Sequence, residues 1–181
     1  MAVVPVVRLL SASDVELVRL IDRAEHVEVE YEVVDGRLRE RPLTVSEIPE
    51  WETSGDGPHS FEFELRFCRE ALEDGGLLLG GYVGGEFAGL AVVQPAYEPP
   101  LARLTFLHVS RPFRRTGVGT RLWADAVERC RAASAERMYV SATPTGSAVG
   151  FYLRQGCTLA IPPHPTLVAL EPDDIHLALA L

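Results

Sequence analysis

A turn rich in arginine and glycine carries the most informative chemistry of this sequence. The apolar stretch 101–109 has the length and composition of a β-strand and runs directly into SRPFRRTGVG, residues 110–119. Glycines let the backbone approach a ligand closely, and a helix that begins at Gly119 offers unpaired N–H groups and a favourable dipole to an anion. Arg114 and Arg115 add positive charge in an acidic chain. The turn is therefore predicted to hold a phosphate or pyrophosphate group.

Two common phosphate motifs do not fit this turn. A Walker A loop requires Gly-Lys followed by Ser or Thr, and the dinucleotide-binding fingerprint requires glycines spaced G-x-G-x-x-G. Residues 110–120 contain neither arrangement. The pattern by itself leaves open a solvent-exposed strand-to-helix turn with surface arginines.

A second motif lies in residues 145–157, which read TGSAVGFYLRQGC. Phe151 and Tyr152 are adjacent on a short predicted helix that ends at Gly156. Together with the RxxGxG pattern of residues 114–119, this segment resembles two motifs of the GNAT-type N-acetyltransferases, R/Q-x-x-G-x-G/A and N-x-x-A-x-x-F-Y-x-x-x-G-F. The two motifs occur in the family's order and at the expected distance. Together with the order of the predicted strands, they extend the resemblance over roughly residues 77–181.

The chain departs from the family pattern at two positions. Ser147 or Thr145 stands where Asn is usual, in a chain that contains no Asn and no Lys at all. Cys157 replaces a Phe, and we expect it to act as a small buried apolar side chain rather than as a nucleophile. Residues 27–60 match no general family feature, and we expect acceptor choice to lie there.

The resemblance implies an α/β (α+β) fold and a co-substrate. It implies one GNAT-like domain over residues 1–181, with a central mixed, twisted sheet flanked by helices and an added N-terminal helix and hairpin. It implies that backbone amides of the turn bind the pyrophosphate of acetyl-coenzyme A, that N–H groups beside a strand bulge polarise the acetyl carbonyl, and that no metal takes part. The residues assigned to the cofactor in this way are Leu107, His108, Val109, Arg114, Arg115, Thr116, Gly117, Val118, Gly119, Thr120, Ser147, Phe151 and Tyr152.

Acid–base catalysis is assigned with the same resemblance in mind. Tyr152 is the candidate general acid, because a phenol stays protonated at pH 7 and can protonate a departing thiolate; the alternative is a buried aromatic. Many family members carry a Glu on the strand before the turn, but residues 101–109 contain no carboxylate. His108 is the candidate base, as the residue there that titrates near neutrality. Glu98 or Glu86 acting through water, or a water chain alone, remain alternatives.

The combined pattern favours an N-acetyltransferase that moves an acetyl group from acetyl-coenzyme A to a primary amine of a small molecule or peptide by direct attack. A non-catalytic acyl-coenzyme A sensor of the same fold is one alternative, and the missing strand carboxylate is consistent with it. A nucleotide-binding fold that uses the same turn is the other. The apolar last strand, residues 175–181, leaves a homodimer open.

Composition narrows the class of partner and the compartment. The 181 residues carry 17 basic and 26 acidic side chains, a net charge of −9, which argues against nucleic acid or an anionic membrane as a partner. Residues 1–10 lack the basic region and cleavage site of a signal peptide, and no apolar run reaches the ~20 residues of a membrane span. Three isolated cysteines without C-x-x-C spacing fit a reducing cytoplasm and argue against a zinc site.

Most of the negative charge lies in residues 25–57, which contain ten carboxylates and three arginines. A solvated surface is the usual reason for such a run. The functional alternative is a rim that attracts a cationic amine.

Hydrophobic periodicity predicts the elements that must position the two motifs. Helices are expected at residues 13–25, 61–72, 119–133 and 147–155, and a hairpin with an Asp-Gly turn at 29–41. Strands are expected at 77–83, 87–94, 101–109, 138–141, 157–161 and 175–181, with a loop at 95–100. The motif-bearing core would then span about residues 77–181.

Overall fold

The computed structural model describes residues 3–181 as a mixed arrangement of strands and helices. The strands are β1 (Val6–Leu10), β2 (Glu25–His26), β3 (Glu30–Val34), β4 (Arg37–Arg41), β5 (Glu47–Ile48), β6 (Leu77–Val83), β7 (Glu86–Glu98), β8 (Leu101–Val109), β9 (Arg137–Ala142), β10 (Thr158–Leu159) and β11 (Ile175–Ala180). The α-helices are α1 (Phe61–Glu73), α2 (Val118–Ala132), α3 (Gly146–Arg154) and α4 (Pro165–Leu170). Two 3-10 helices span Ala12–Leu20 and Arg111–Phe113.

Seven strands form one sheet in the order β1-β6-β7-β8-β9-β11-β10. The pair β8–β9 is parallel and the other neighbouring pairs are antiparallel. Strands β2 and β5, and the hairpin β3–β4, form two small separate sheets. This architecture confirms the predicted fold class, a central mixed sheet flanked by helices.

The sheet opens between its two parallel strands. β8 and β9 pair only from Leu101 with Arg137 to Leu104 with Val140, although β8 continues to Val109. On its other side β8 stays paired with β7, where Val92 faces Phe106 and Val93 faces Leu104, so that Thr105 is the extra residue of a bulge. Beyond the bulge, the edge of β8 that faces β9 is therefore free of strand pairing.

Helices cover both faces of the sheet. Helix α2 packs over β6, β7 and β8, with Leu122 and Ala126 fully buried. Helix α1 and the first 3-10 helix cover the opposite face, where Leu65 and Cys68 are fully buried. Strand residues alternate between these two cores, as the period of a β-strand requires.

The N-terminal helix is shorter than the sequence predicted. Residues 13–25 were expected to be helical, but the 3-10 helix ends at Leu20 and the backbone is extended at Ile21. Beyond this point Asp22 is tied to the turn: its N–H donates to Ser110 Oγ at 3.0 Å, and its carbonyl accepts from the Arg111 N–H at 2.8 Å. These long-range hydrogen bonds override the local helical pattern.

The predicted hairpin and the predicted loop have different outcomes. The hairpin is confirmed, with Asp35 and Gly36 at φ of +50° and +71° as its turn. The loop expected at residues 95–100 is wrong, because β7 continues to Glu98 and pairs there with Leu101. Strand β1 and helix α4 had no sequence prediction; β1 owes its conformation to pairing with β6, and α4 is a short helix that begins at Pro165.

Gly81 in β6 brings the first turn of α2 close to the sheet. A Cβ atom at Gly81 would lie 2.6 Å from Val118 Cγ2 and 3.1 Å from Leu122 Cδ1, both shorter than an ordinary contact. The missing side chain therefore fixes where the N-terminus of α2 lies.

We expect Gly81→Ala to destabilise the fold by about 1–3 kcal/mol, because overpacking forces α2 and the sheet apart. Urea unfolding measures the effect. Gly57→Ala is the matched control, since a Cβ at Gly57 meets no atom within 4 Å. Equal stability of the two variants would contradict the close packing of α2 on β6.

Candidate active site

The N-terminus of α2 is shaped to receive an anion. Gly117 precedes the helix with φ of +90°, and Arg115 also has a left-handed backbone with φ of +66°. None of the side chains that the structure describes caps α2, whereas Ser60 caps α1 and Thr145 caps α3. The first N–H groups of α2 therefore have no partner within the helix. They are the amides that the sequence assigned to a pyrophosphate.

The Arg114 side chain stabilises the turn from inside instead of extending from it. Its guanidinium donates to the carbonyls of Arg23 at 2.8 Å, Ala24 at 3.0 Å and Val109 at 3.3 Å. Glu25 lies 3.9 Å away. The Arg114 charge is thus occupied by the chain itself, and Arg115, which is exposed, is the arginine of this pair that remains available to solvent.

The second motif packs against the same turn. A Cβ at Gly119 would lie 3.7 Å from the Phe151 ring, so α3 approaches the first turn of α2 closely. The Ser147 hydroxyl lies 3.0 Å from Thr145 Oγ1, and the Thr145 hydroxyl accepts from the Ala148 N–H at 3.4 Å. The two motifs, separated in sequence, therefore meet at one end of the sheet opening.

A cavity of about 160 Å³ lies at this opening. Its wall combines β8, the end of β9, α1, α3 and the loop before β11. The lining residues are Glu64, Phe67, Leu104, Thr105, Phe106, Leu107, His108, Ser141, Ala142, Thr143, Ala148, Tyr152, Glu171 and Asp174. A larger depression of about 380 Å³ between the first 3-10 helix and α1 lies apart from β8 and the turn.

Strand alternation directs two β8 amides into the opening. The Ser110 N–H donates to the Ala88 carbonyl across to β7, and the register is unbroken from Val109 back to Phe106. Because successive N–H groups of a strand point to opposite sides, the amides of Leu107 and Val109 point away from β7 toward the open side. These are residues that the sequence assigned to the acetyl carbonyl.

His108 lies on the cavity wall, but its environment disfavours protonation. Its ring centroid is 5.1 Å from that of Trp51 and 4.7 Å from that of Phe106. Burial, with Arg23 and Arg114 nearby, lowers the pKa of His108 to about 4. The imidazole is therefore neutral at pH 7 and a weak base, which argues against the role considered for it from the sequence.

Tyr152 lies on the same cavity from the α3 side. It is buried, and its ring centroid is 5.4 Å from that of Trp123. Burial raises the pKa of the Tyr152 hydroxyl above its usual value of 10, so the group is protonated at neutral pH. The structure thus places a protonated phenol on the cavity wall.

The other sequence candidates lie outside the cavity. Glu86 is exposed at the β6–β7 turn, and Glu98 Oε2 pairs with His164 Nε2 at 3.0 Å. The Cys157 thiol is buried, which raises its pKa to about 12 and leaves it protonated. It has no nucleophilic character at neutral pH.

Sequence reasoning missed three cavity carboxylates: Glu64, Glu171 and Asp174. Burial raises the pKa of Glu64 to about 7, against an ordinary value of 4.5. Burial, and then Glu171 and other nearby carboxylates, raise the pKa of Asp174 to about 7. Glu64 could have been found, because it lies between Phe61 and Cys68 on the apolar face of a predicted helix. No local pattern distinguishes Glu171 or Asp174.

The acidic segment 25–57 frames the opening but does not line the cavity. Its first part crosses from β8 to α3: the Tyr31 N–H donates to the Pro144 carbonyl at 2.8 Å, and the Gly146 N–H to the Val29 carbonyl at 2.7 Å. Glu30 is buried and accepts from the Thr44 N–H at 2.7 Å. Within residues 3–181, no carboxylate of this segment reaches the cavity wall.

Two further findings concern metals and membranes. No group of His, Cys, Asp or Glu in residues 3–181 is placed to hold a metal ion. Among the described residues, no helix has both the length and the apolar character needed to cross a membrane.

The fold and the opened sheet define a known class of protein. The sequence model of the Acetyltransferase (GNAT) family matches residues 43–157, which is more than half of the chain. The chain therefore belongs to the GNAT acetyltransferase family. No curated protein matches it in sequence.

Solved structures support the same fold at low identity. Nourseothricin acetyltransferase superposes with a TM-score of 0.71 at 19% identity, over 99% of both chains. A Bacillus anthracis str. Ames protein, described as a streptothricin acetyltransferase in complex with acetyl coenzyme A, has a TM-score of 0.63 at 17% identity, over 100% of this chain and 99% of that one. Ard1 from Thermoplasma volcanium has a TM-score of 0.60 at 19% identity, over 100% of this chain and 99% of that one.

Proposed function

We propose that the protein transfers an acetyl group from acetyl-coenzyme A to a primary amine by direct attack, without a covalent enzyme intermediate. The observation that carries the proposal is the cavity at the sheet opening. Its lining combines β8 residues beyond the bulge, a protonated Tyr152 from α3 and, from α1, Glu64, a carboxylate with a pKa of about 7. The uncapped N-terminus of α2 lies at the end of the same strand.

The donor would be held by the amides of residues 115–120. Their N–H groups and the helix dipole favour a pyrophosphate, and the open face of Gly117 lets it approach the backbone. Family membership and the Bacillus anthracis neighbour with acetyl coenzyme A support this assignment. The thioester would then lie along β8, where the Leu107 and Val109 amides polarise its carbonyl. Such donors contribute about 3–4 kcal/mol each in a preorganised site.

Glu64 and Tyr152 would carry the protons. The amine nitrogen attacks the thioester carbon, the C–N bond forms, and the C–S bond breaks. Glu64, directly or through one water, accepts the proton that the attacking amine loses, and Tyr152 donates a proton to the leaving thiolate. Exchange with solvent then restores both groups. A base with a pKa near the working pH combines availability with proton affinity, which favours Glu64 over His108.

Gly117→Ala is expected to weaken coenzyme A binding at least tenfold, about 1.4 kcal/mol. The methyl group would occupy the ligand side of the turn, and calorimetry measures the change. Gly75→Ala is the matched control: Gly75 has φ of +84° against +90° for Gly117, and a Cβ there meets no atom within 4 Å. Both variants should lose similar stability, so an equal effect on binding would place the pyrophosphate elsewhere.

The pH profile of kcat/KM tests Glu64. A base must be ionised, so the parent rate should rise with pH through an apparent pKa near 7, on which ionisation of the amine is superimposed. Glu64→Gln should lose this inflection together with about 10²-fold or more of the rate. Glu70→Gln, an exposed position on the same helix, is the control. An inflection that survives in Glu64→Gln would assign the base elsewhere.

Tyr152→Phe should lower kcat by about 10²-fold while the dissociation constant for acetyl-coenzyme A stays nearly constant, because the ring remains and the donated proton is lost. Thiol release measures kcat, with Tyr82→Phe as a control outside the cavity. The assay is run with a panel of amine acceptors. This acceptor panel includes nourseothricin and streptothricin, after which two structural neighbours are named. If coenzyme A binds but no amine is acetylated, the non-catalytic binding domain is the correct function.

A further inference from the structure

The cavity contains more negative charge than proton transfer requires. Glu64 enters from α1, whereas Glu171 and Asp174 enter from the loop between α4 and β11. A carboxylate that accepts a proton in each turnover becomes neutral as it does so. Glu64 in that role cannot also hold a permanent cation, which leaves Glu171 and Asp174 without a function in the reaction itself.

Nearby arginines neutralise only part of this charge. Arg103 Nη2 pairs with Glu171 Oε2 at 3.3 Å, and the Arg103 guanidinium also lies over the Phe67 ring at 5.1 Å from its centroid. Asp174 forms no ion pair with any arginine in residues 3–181. Arg23 lies on the Glu64 side, with its guanidinium 5.3 Å from the Trp51 ring centroid.

The histidines near these carboxylates add little charge. Burial lowers the pKa of both His108 and His176, and His176 Nε2 lies 3.1 Å from the Glu171 carbonyl, where a neutral ring can donate a hydrogen bond. Burying a carboxylate without a partner is costly, and a bound cation relieves that cost.

A second observation indicates that this cavity is built for a ligand. The Trp51 side chain is only 3% exposed, and its indole N–H has no hydrogen-bond acceptor among residues 3–181. The N–H lies near the Glu64 carboxylate, and the ring contacts Phe106 and His108 on the cavity wall. A buried donor without an acceptor is rare in native proteins, and a group bound beside Glu64 would supply the missing partner.

We propose that the acceptor is a small aliphatic diamine or polyamine, whose reacting nitrogen lies beside Glu64 and Tyr152 and whose second ammonium is held by Glu171 and Asp174. This inference rests on the proposed acetyl transfer. The cavity of about 160 Å³ is smaller than the ~300–1,000 Å³ of typical drug-sized pockets and also receives the acetyl end of the donor, which leaves room for no more than a slender alkyl chain. The product is a mono-acetylated amine that keeps its second charge, together with free coenzyme A.

The test compares 1,5-diaminopentane with pentylamine at pH 8, above the pKa of about 7 of Glu64 and Asp174. The two amines match in chain length, and the diamine has a statistical advantage of only about twofold from its second reactive end. We expect kcat/KM to favour the diamine at least tenfold in the parent protein, and Asp174→Asn to remove most of that preference. Asp173→Asn, an exposed neighbour with the same charge change, should keep the preference.

Thermal unfolding shows whether Asp174→Asn is folded, and Glu171→Gln is the second variant if it is not. Equal kcat/KM for the two amines in the parent protein would overturn the diamine inference and leave acetyl transfer intact. If neither amine is acetylated but another amine of the acceptor panel is, the diamine inference is overturned and acetyl transfer stands. If no amine of the panel is acetylated, the proposed function fails, and calorimetry with coenzyme A present then decides the inference. Tighter binding of the diamine that is lost in Asp174→Asn supports it, and equal binding of both amines overturns it.

Discussion

Backbone hydrogen bonding between β8 and β9 stops after Leu104 and Val140, and the rest of the site depends on that interruption. A paired strand would have no free amides, and continued pairing would fill the space of the cavity. The bulge at Thr105 bends β8 at this point while its pairing with β7 continues. The amides of Leu107 and Val109 are thereby left without a strand partner on the side that faces away from β7.

Two sets of contacts hold the opening in shape. Arg114 joins the end of β8 to the carbonyls of Arg23 and Ala24, and residues 22–31 then cross to the start of α3. On the other face, Arg103 links β8 to Glu171 in the loop before β11. The guanidinium groups of both arginines bond to groups of the protein itself. They stabilise the backbone around the cavity.

Net charge and local charge have different meanings in this protein. Most of the acidic excess lies in residues 25–57, and its side chains are exposed or bonded within the chain. The carboxylates that line the cavity are Glu64, Glu171 and Asp174, which come from elsewhere in the sequence. Burial changes their proton affinity, as it does that of His108 in the opposite sense. The number of charges in a segment of the sequence therefore does not locate the cavity. The pKa shifts that desolvation causes do locate it.

The sequence by itself determined the features that depend on neighbouring residues: the strand 101–109, the glycine turn that begins α2, the Asp-Gly hairpin and the adjacent Phe151 and Tyr152. Turn chemistry and hydrophobic period are local, so they can be read without a fold. Only the tertiary structure decided that residues 22–25 leave the helix to bind the turn, and that Glu64 and Asp174 line the same cavity. Contacts between distant segments and the desolvation they cause have no local signature, because they arise only when the chain has folded.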